Sequence, residues 1–118
     1  MASIRETLEE ISRLDGVQVS VLVSDDGLLI ESVAKDGSNT ESLAAVASGS
    51  LRASEMIGME LAKGSTREMV IIFEDGAVFI VPLEGKPAIL VVVSSKGANL
   101  GKIRIGIKKG AFQLARLI

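Results

Sequence analysis

Residues Val21–Ile30 read VLVSDDGLLI, two apolar runs separated by Ser24, a pair of carboxylates and a glycine. Paired aspartates can hold a metal or move a proton, and an Asp-Gly step can equally turn a chain, so the choice between a site and a hairpin decides the fold. Asp-Gly recurs at Asp15-Gly16, Asp36-Gly37 and Asp75-Gly76, each time between apolar or periodic segments. Glycine reaches positive φ without a Cβ penalty and Asp bonds the nearby backbone, which makes the step a turn signal. A calcium loop would need oxygen ligands spread over about a dozen residues with a terminal bidentate Glu, and residues 24–33 offer only Glu31 beyond Asp25 and Asp26. A carboxylate acid/base dyad needs a pocket that separates the two pKa values, which a hairpin tip does not provide. The stretch is therefore a turn, without a catalytic role.

Working outward, Val17, Val19, Val21 and Val23 alternate with Gln18, Ser20 and Ser24, with Leu22 interrupting the polar side, and Leu28 to Ala34 returns as a second strand. Upstream, Ser3-Ile4-Arg5-Glu6 has the form of a capping box. Ile4, Leu8, Ile11 and Leu14 then follow at helical spacing, and Glu9 is placed to pair with Arg13 at i,i+4. Downstream, the polar loop Lys35 to Thr40 leads into a long helix, Glu41 to Lys63. Its period places Leu43, Val46, Ala47, Ser50, Ser54, Ile57 and Leu61 toward a core, and Ala45, Gly49, Arg52, Met56 and Met59 on the opposite side. A solvated helix would carry charge there. Small residues and methionines instead suit close packing against another chain, a second copy being the simplest.

Three apolar, β-branched runs follow, Met69 to Phe73, Ala77 to Leu83 and Ala88 to Val93, bounded by Glu74-Asp75-Gly76 and Glu84-Gly85-Lys86-Pro87. They read as a meander covered on both faces, because they do not alternate cleanly. Leu100, Ile103, Ile107, Ala111, Leu114 and Ile118 form one face of a last helix, in which Gly101, Gly106 and Gly110 cost about 1 kcal/mol each relative to Ala. The order is α-β-β-α-β-β-β-α, an α+β plan with a five-stranded antiparallel sheet between helix layers, in a single domain spanning residues 1–118.

Composition narrows the function. Cysteine and histidine are both absent, which removes thiol nucleophiles, zinc-thiolate sites, the commonest general base and the commonest metal ligand. A net charge of −2 with three Phe and neither Trp nor Tyr lacks the basic stripe and stacking aromatics of a nucleic-acid binder. Without an apolar run of membrane-spanning length, the expectation is a cytoplasmic protein with no membrane insertion. Gly97-Ala98-Asn99-Leu100-Gly101-Lys102-Ile103 stands where a phosphate loop would. It has three residues rather than four between its glycines and Ile103 where a Mg²⁺-reaching Ser or Thr belongs, so no nucleotide is assigned. Lys102, Arg104, Lys108, Lys109 and Arg116 make the last helix basic and read as a solvated face, although an acidic partner or a membrane could meet such a surface. The expectation is a non-enzyme without cofactor or metal.

In order and spacing, Leu14-Asp15-Gly16-Val17, Val23-Ser24-Asp25-Asp26-Gly27-Leu28, Leu43-Ala44-Ala45-Val46-Ala47-Ser48 and Asn99-Leu100-Gly101-Lys102-Ile103-Arg104 resemble the Roadblock / dynein light chain family, including its MglB-like bacterial members. The resemblance covers nearly the whole chain. It implies a Roadblock/profilin-like sheet of strand order 2-1-5-4-3, the long helix on one face and the first and last helices on the other. It also implies a homodimer through the long helix and the third strand, here Glu41 to Lys63 and Arg67 to Glu74, with Ala45, Gly49, Met56, Met69, Ile71 and Phe73 at the interface. The implied function is a non-catalytic platform for a Ras-like small GTPase, contacted through Ser48, Arg52, Glu55 and Met59. Arg52 is read as a surface or interface arginine rather than an arginine finger. The alternative is a structural adaptor subunit that docks to a larger, non-GTPase assembly. A proline at Ile72, on the apolar third strand, is expected to be severe, because it deletes a ladder donor and a buried side chain.

Overall fold

A computed structural model describes residues 2–35 and 37–118, so Asp36 of the third Asp-Gly step lies outside the described residues. The elements run α1 (Ile4–Ser12), β1 (Val17–Ser24), β2 (Leu29–Ala34), α2 (Thr40–Glu60), β3 (Met69–Phe73), β4 (Gly76–Pro82), β5 (Ala88–Ser95) and α3 (Leu100–Ala115). The capping box forms as the sequence predicts: Ser3 Oγ accepts from Glu6 N at 3.1 Å, and Glu6 Oε1 accepts from Ser3 N at 3.4 Å. Glu9 pairs with Arg5, 3.8 Å away one turn upstream, rather than with Arg13. Arg5 also reaches Glu31 on β2 at 3.1 Å, which ties α1 to the sheet edge.

The strands pair antiparallel in the order β2-β1-β5-β4-β3, with β5 and β1 central. α2 packs over one face on Val19, Val21, Val23, Ile80, Ile89 and Val91. α1 and α3 cover the other face, over Leu22, Phe79, Leu90 and Val92. An irregular register between Val17 and Val19 turns Val17 onto the α1/α3 side, so the four valines do not share one face as simple alternation suggests. The supposedly polar side of β1 is also dry. Ser20 is fully buried, donates to Leu8 O at 2.9 Å and shares a 2.6 Å hydrogen bond with Ser12, so each hydroxyl under α1 has a partner.

The glycines of α3 have their cause in this layer. A Cβ at Gly106 would lie 2.4 Å from Leu14 Cδ1, and one at Gly110 would lie 2.5 Å from Ile11 Cδ1. The helix-propensity cost is thus offset by a close α1–α3 crossing. Gly101 is exposed and would meet only Asn99 Oδ1, at 3.5 Å.

Candidate interaction surface

Asp25 and Asp26 sit on an exposed turn. Gly27 takes φ +91° and its N–H donates to Ser24 O at 3.0 Å, while Ser24 Oγ hydrogen-bonds Asp26 Oδ1 and accepts from Leu28 N at 3.0 Å. Asp26 closes the turn, and Asp25 uses its backbone: its N–H donates to Pro87 O at 3.1 Å, and its carbonyl accepts from Ser48 Oγ at 3.1 Å. The carboxylates serve the hairpin, and the hairpin is pinned beneath α2. Among the described residues no group of three or more acidic side chains is placed to hold a metal ion.

α2 begins at the N-cap Asn39, whose Oδ1 accepts from Ser42 N at 3.0 Å. Its buried residues are Ala44, Ala47, Ser48 and Leu51. This corrects the predicted inward face: Val46, Ile57 and Leu61 are 64%, 61% and 60% exposed. The reason is steric. Two apolar stripes run along α2, and the narrow one built from Ala and Ser lets the helix approach the valine-rich β1, where bulkier side chains would hold it away. The helix is rotated by roughly a quarter turn from the orientation its largest residues suggest.

That rotation sorts the predicted contact residues. Ser48 is 1% exposed, so it is a support for the β1–β2 turn and not part of an outer face. Glu55 is half-buried, and its carboxylate accepts from Thr66 N at 3.1 Å while Ser54 and Thr66 hydroxyls meet at 2.6 Å; together they hold the loop between α2 and β3. Arg52 is exposed but its guanidinium folds back to donate to Ser48 Oγ at 3.3 Å, and Met59 is 79% exposed. Of the predicted interface residues, Ala45, Met56 and Phe73 are exposed and Gly49 is half-buried. Met69 and Ile71 are half-buried against the α2-side core, and their neighbours Val70 and Ile72 face away, exposed. The Ile72 side chain is therefore not buried within the chain, contrary to the sequence expectation.

Two features of the chain are left uncovered. β3 is a sheet edge bonded on one side only, to β4. The outer side of α2 and its C-cap expose Val46, Met56, Ile57, Met59 and Leu61. No helix is long and apolar enough to cross a membrane among the described residues. Sequence reasoning missed Val46, Ile57 and Leu61 as surface residues. The signal that could have found them is the spacing of Ala44, Ala47, Ser48 and Leu51, which makes a second, smaller apolar stripe.

Comparison with known proteins agrees with this architecture. The Roadblock/LC7 domain profile matches residues 3–94. An uncharacterized protein of Methanocaldococcus jannaschii, MJ0714, is 34% identical over 108 residues, spanning 92% of this chain and 90% of that protein. The fold is similar to that of Myxococcus xanthus MglB, with a TM-score of 0.88 at 21% identity over 97% of this chain and 93% of the other. An MglB structure described as having a tetrameric arrangement superposes with a TM-score of 0.88 at 25% identity, over 95% of this chain and 85% of that one. The matched profile, the shared strand order and the helix layers together establish that the chain belongs to the Roadblock/LC7 domain family, whose members are generally adaptors or regulators rather than enzymes.

Proposed function

We propose that this chain is a homodimeric, non-catalytic platform that binds a Ras-like small GTPase through the outer face of α2. One observation carries the reading: the chain's own sheet takes up the small-residue stripe of α2 and leaves both the larger apolar stripe and the β3 edge uncovered. An unpaired apolar strand invites uncontrolled association, and pairing it across a two-fold axis satisfies its backbone and closes the edge. Ala45, Gly49 and Met56 on α2, with Met69, Ile71 and Phe73 on β3, would form that contact. The Roadblock resemblance supplies the partner class. Arg52 and Met59 remain as the partner-facing residues, while Ser48 and Glu55 act from beneath by fixing the hairpin and the loop.

The side chain of Arg52 lies back on Ser48 Oγ, which favours a binding platform over a projecting arginine finger. Such a platform acts by preferring one switch conformation, since only differential affinity shifts the GTPase between states. The experiment is affinity purification of the chain from its native cell, followed by binding and hydrolysis measurements on the recovered GTPase. A dimer by light scattering and unequal affinity for the GDP- and GTP-loaded forms are the expected results. A strict monomer, or equal affinity for both forms, would remove the regulator reading; recovery of a GTPase-free assembly would favour the adaptor.

A further inference from the structure

A groove of about 1030 Å³ runs between α3, the loop Ser65 to Glu68 and the β4–β5 turn, and is also lined by Glu55 of α2. The basic residues of α3 and its C-cap divide there: Arg104, Lys108 and the C-cap Arg116 line the groove, whereas Lys102 and Lys109 do not. Arg67 and Lys86 join them from the facing loop and turn, giving five cations against three carboxylates in a chain of net charge −2. Those carboxylates are largely engaged. Glu68 pairs with Arg104 at 2.7 Å and Glu55 accepts from Thr66 N. Arg67 and Lys108 make no ion pair among the described residues. Between the charges lie half-buried Val81, Ala111 and Ala115 and the largely exposed Phe112.

We infer that this groove is a second docking site, for an acidic amphipathic helical segment of a protein partner. Its apolar lining takes the nonpolar side of such a helix, and Arg67 from the loop and Lys108 from α3 take the carboxylates. The wall from Arg104 to Arg116 spans about 18 Å at 1.5 Å per residue, the length of three helical turns. A small molecule fits less well, because the space is at the upper end of the roughly 300 to 1,000 Å³ of ligand pockets and is an open trough. Nucleic acid is disfavoured by the groove's own carboxylates and its apolar lining.

The test is selection of a displayed library of random fourteen-residue peptides on the whole chain, with the double variant Arg67→Glu/Lys108→Glu as counter-target. Both replaced side chains are exposed, and unchanged circular dichroism and melting would show the variant folded. Enriched peptides should carry Asp or Glu flanking apolar residues at i, i+3 and i+4 spacing. A labelled synthetic copy should lose about tenfold or more in affinity on the double variant and weaken as salt rises, while Phe112→Ala should weaken it without changing the salt dependence. Peptides without acidic excess, equal binding to the double variant, or selective capture of anionic phospholipid vesicles or duplex DNA by the same residues would overturn the assignment.

Discussion

Replacing Gly58 by alanine tests how the long helix hands the chain to the edge strand. A Cβ there would lie 2.3 Å from the carbonyl oxygen of Gly64, about 1 Å inside the roughly 3.3 Å at which carbon and oxygen normally meet. The loop cannot yield freely. It passes through Ala62 at φ +54° and Gly64 at φ +84°, Lys63 N donates to Gly58 O at 2.8 Å, and Thr66 is held by both Ser54 and Glu55. A displacement of about 1 Å would break the two Thr66 hydrogen bonds, each contributing about 1 kcal/mol, and add about 1 to 3 kcal/mol of overpacking. Alanine returns about 1 kcal/mol of helix propensity. The net loss is about 2 to 4 kcal/mol, roughly 8 to 16 °C in melting temperature for a domain of this size. Thermal and urea denaturation followed by circular dichroism should show it, with Gly101→Ala as the control, because that site is open and the change should be neutral or slightly stabilising. If Gly58→Ala is as stable as the wild type, the loop does not lock onto α2 as described.

The other substitutions separate packing from association. Gly110→Ala should cost up to about 2 kcal/mol net by driving into Ile11 Cδ1 and Cγ1, and adding Ile11→Val, which removes Cδ1 and leaves Cγ1, should recover part of it in a double-mutant cycle of urea melts. Ser48→Ala strips the Asp25 carbonyl of its hydroxyl donor and should lower stability by about 1 kcal/mol; a change in partner affinity at unchanged stability would instead return Ser48 to the contact surface. Ile72→Asp places a charge on a side chain that is 73% exposed in the single chain, so the fold should stay within about 0.5 kcal/mol of wild type. The mass by light scattering should nevertheless fall to that of one chain, and an unchanged dimer would exclude β3 from the interface.

Much of the architecture is legible from the sequence because local signals agree with one another. The Asp-Gly steps, the capping box at Ser3 and the β-branched runs each specify an element through nearest-neighbour chemistry, and the structure places all eight in the predicted order. What was not legible depends on contacts distant in sequence. Val17 changes face through an irregularity in its pairing with β5, and Ser20 is buried because Leu8 O and Ser12 stand above it. Neither follows from alternation within β1. The glycines of α3 look unfavourable until Ile11 and Leu14 are seen against them. The candidate site was half legible for the same reason. Composition marked α2 as apolar on more than one side, but which stripe meets the sheet depends on how close the helix must come to Val19 and Val21.

That choice of stripe connects fold to function. Had α2 buried Val46, Ile57 and Leu61, the chain would have covered its largest helical apolar surface internally. Using Ala44, Ala47 and Ser48 instead brings α2 close to β1 and leaves apolar side chains of high transfer free energy in water, each worth about 1.5 to 3 kcal/mol on full burial. Among the described residues no other helix covers them, since α1 and α3 are committed to the opposite face. The proposed association would give those side chains the burial that folding withholds. The same geometry predicts that changes on the exposed stripe will act on assembly before stability, and that changes at Ser48, Glu55 or Gly58 will act in the reverse order.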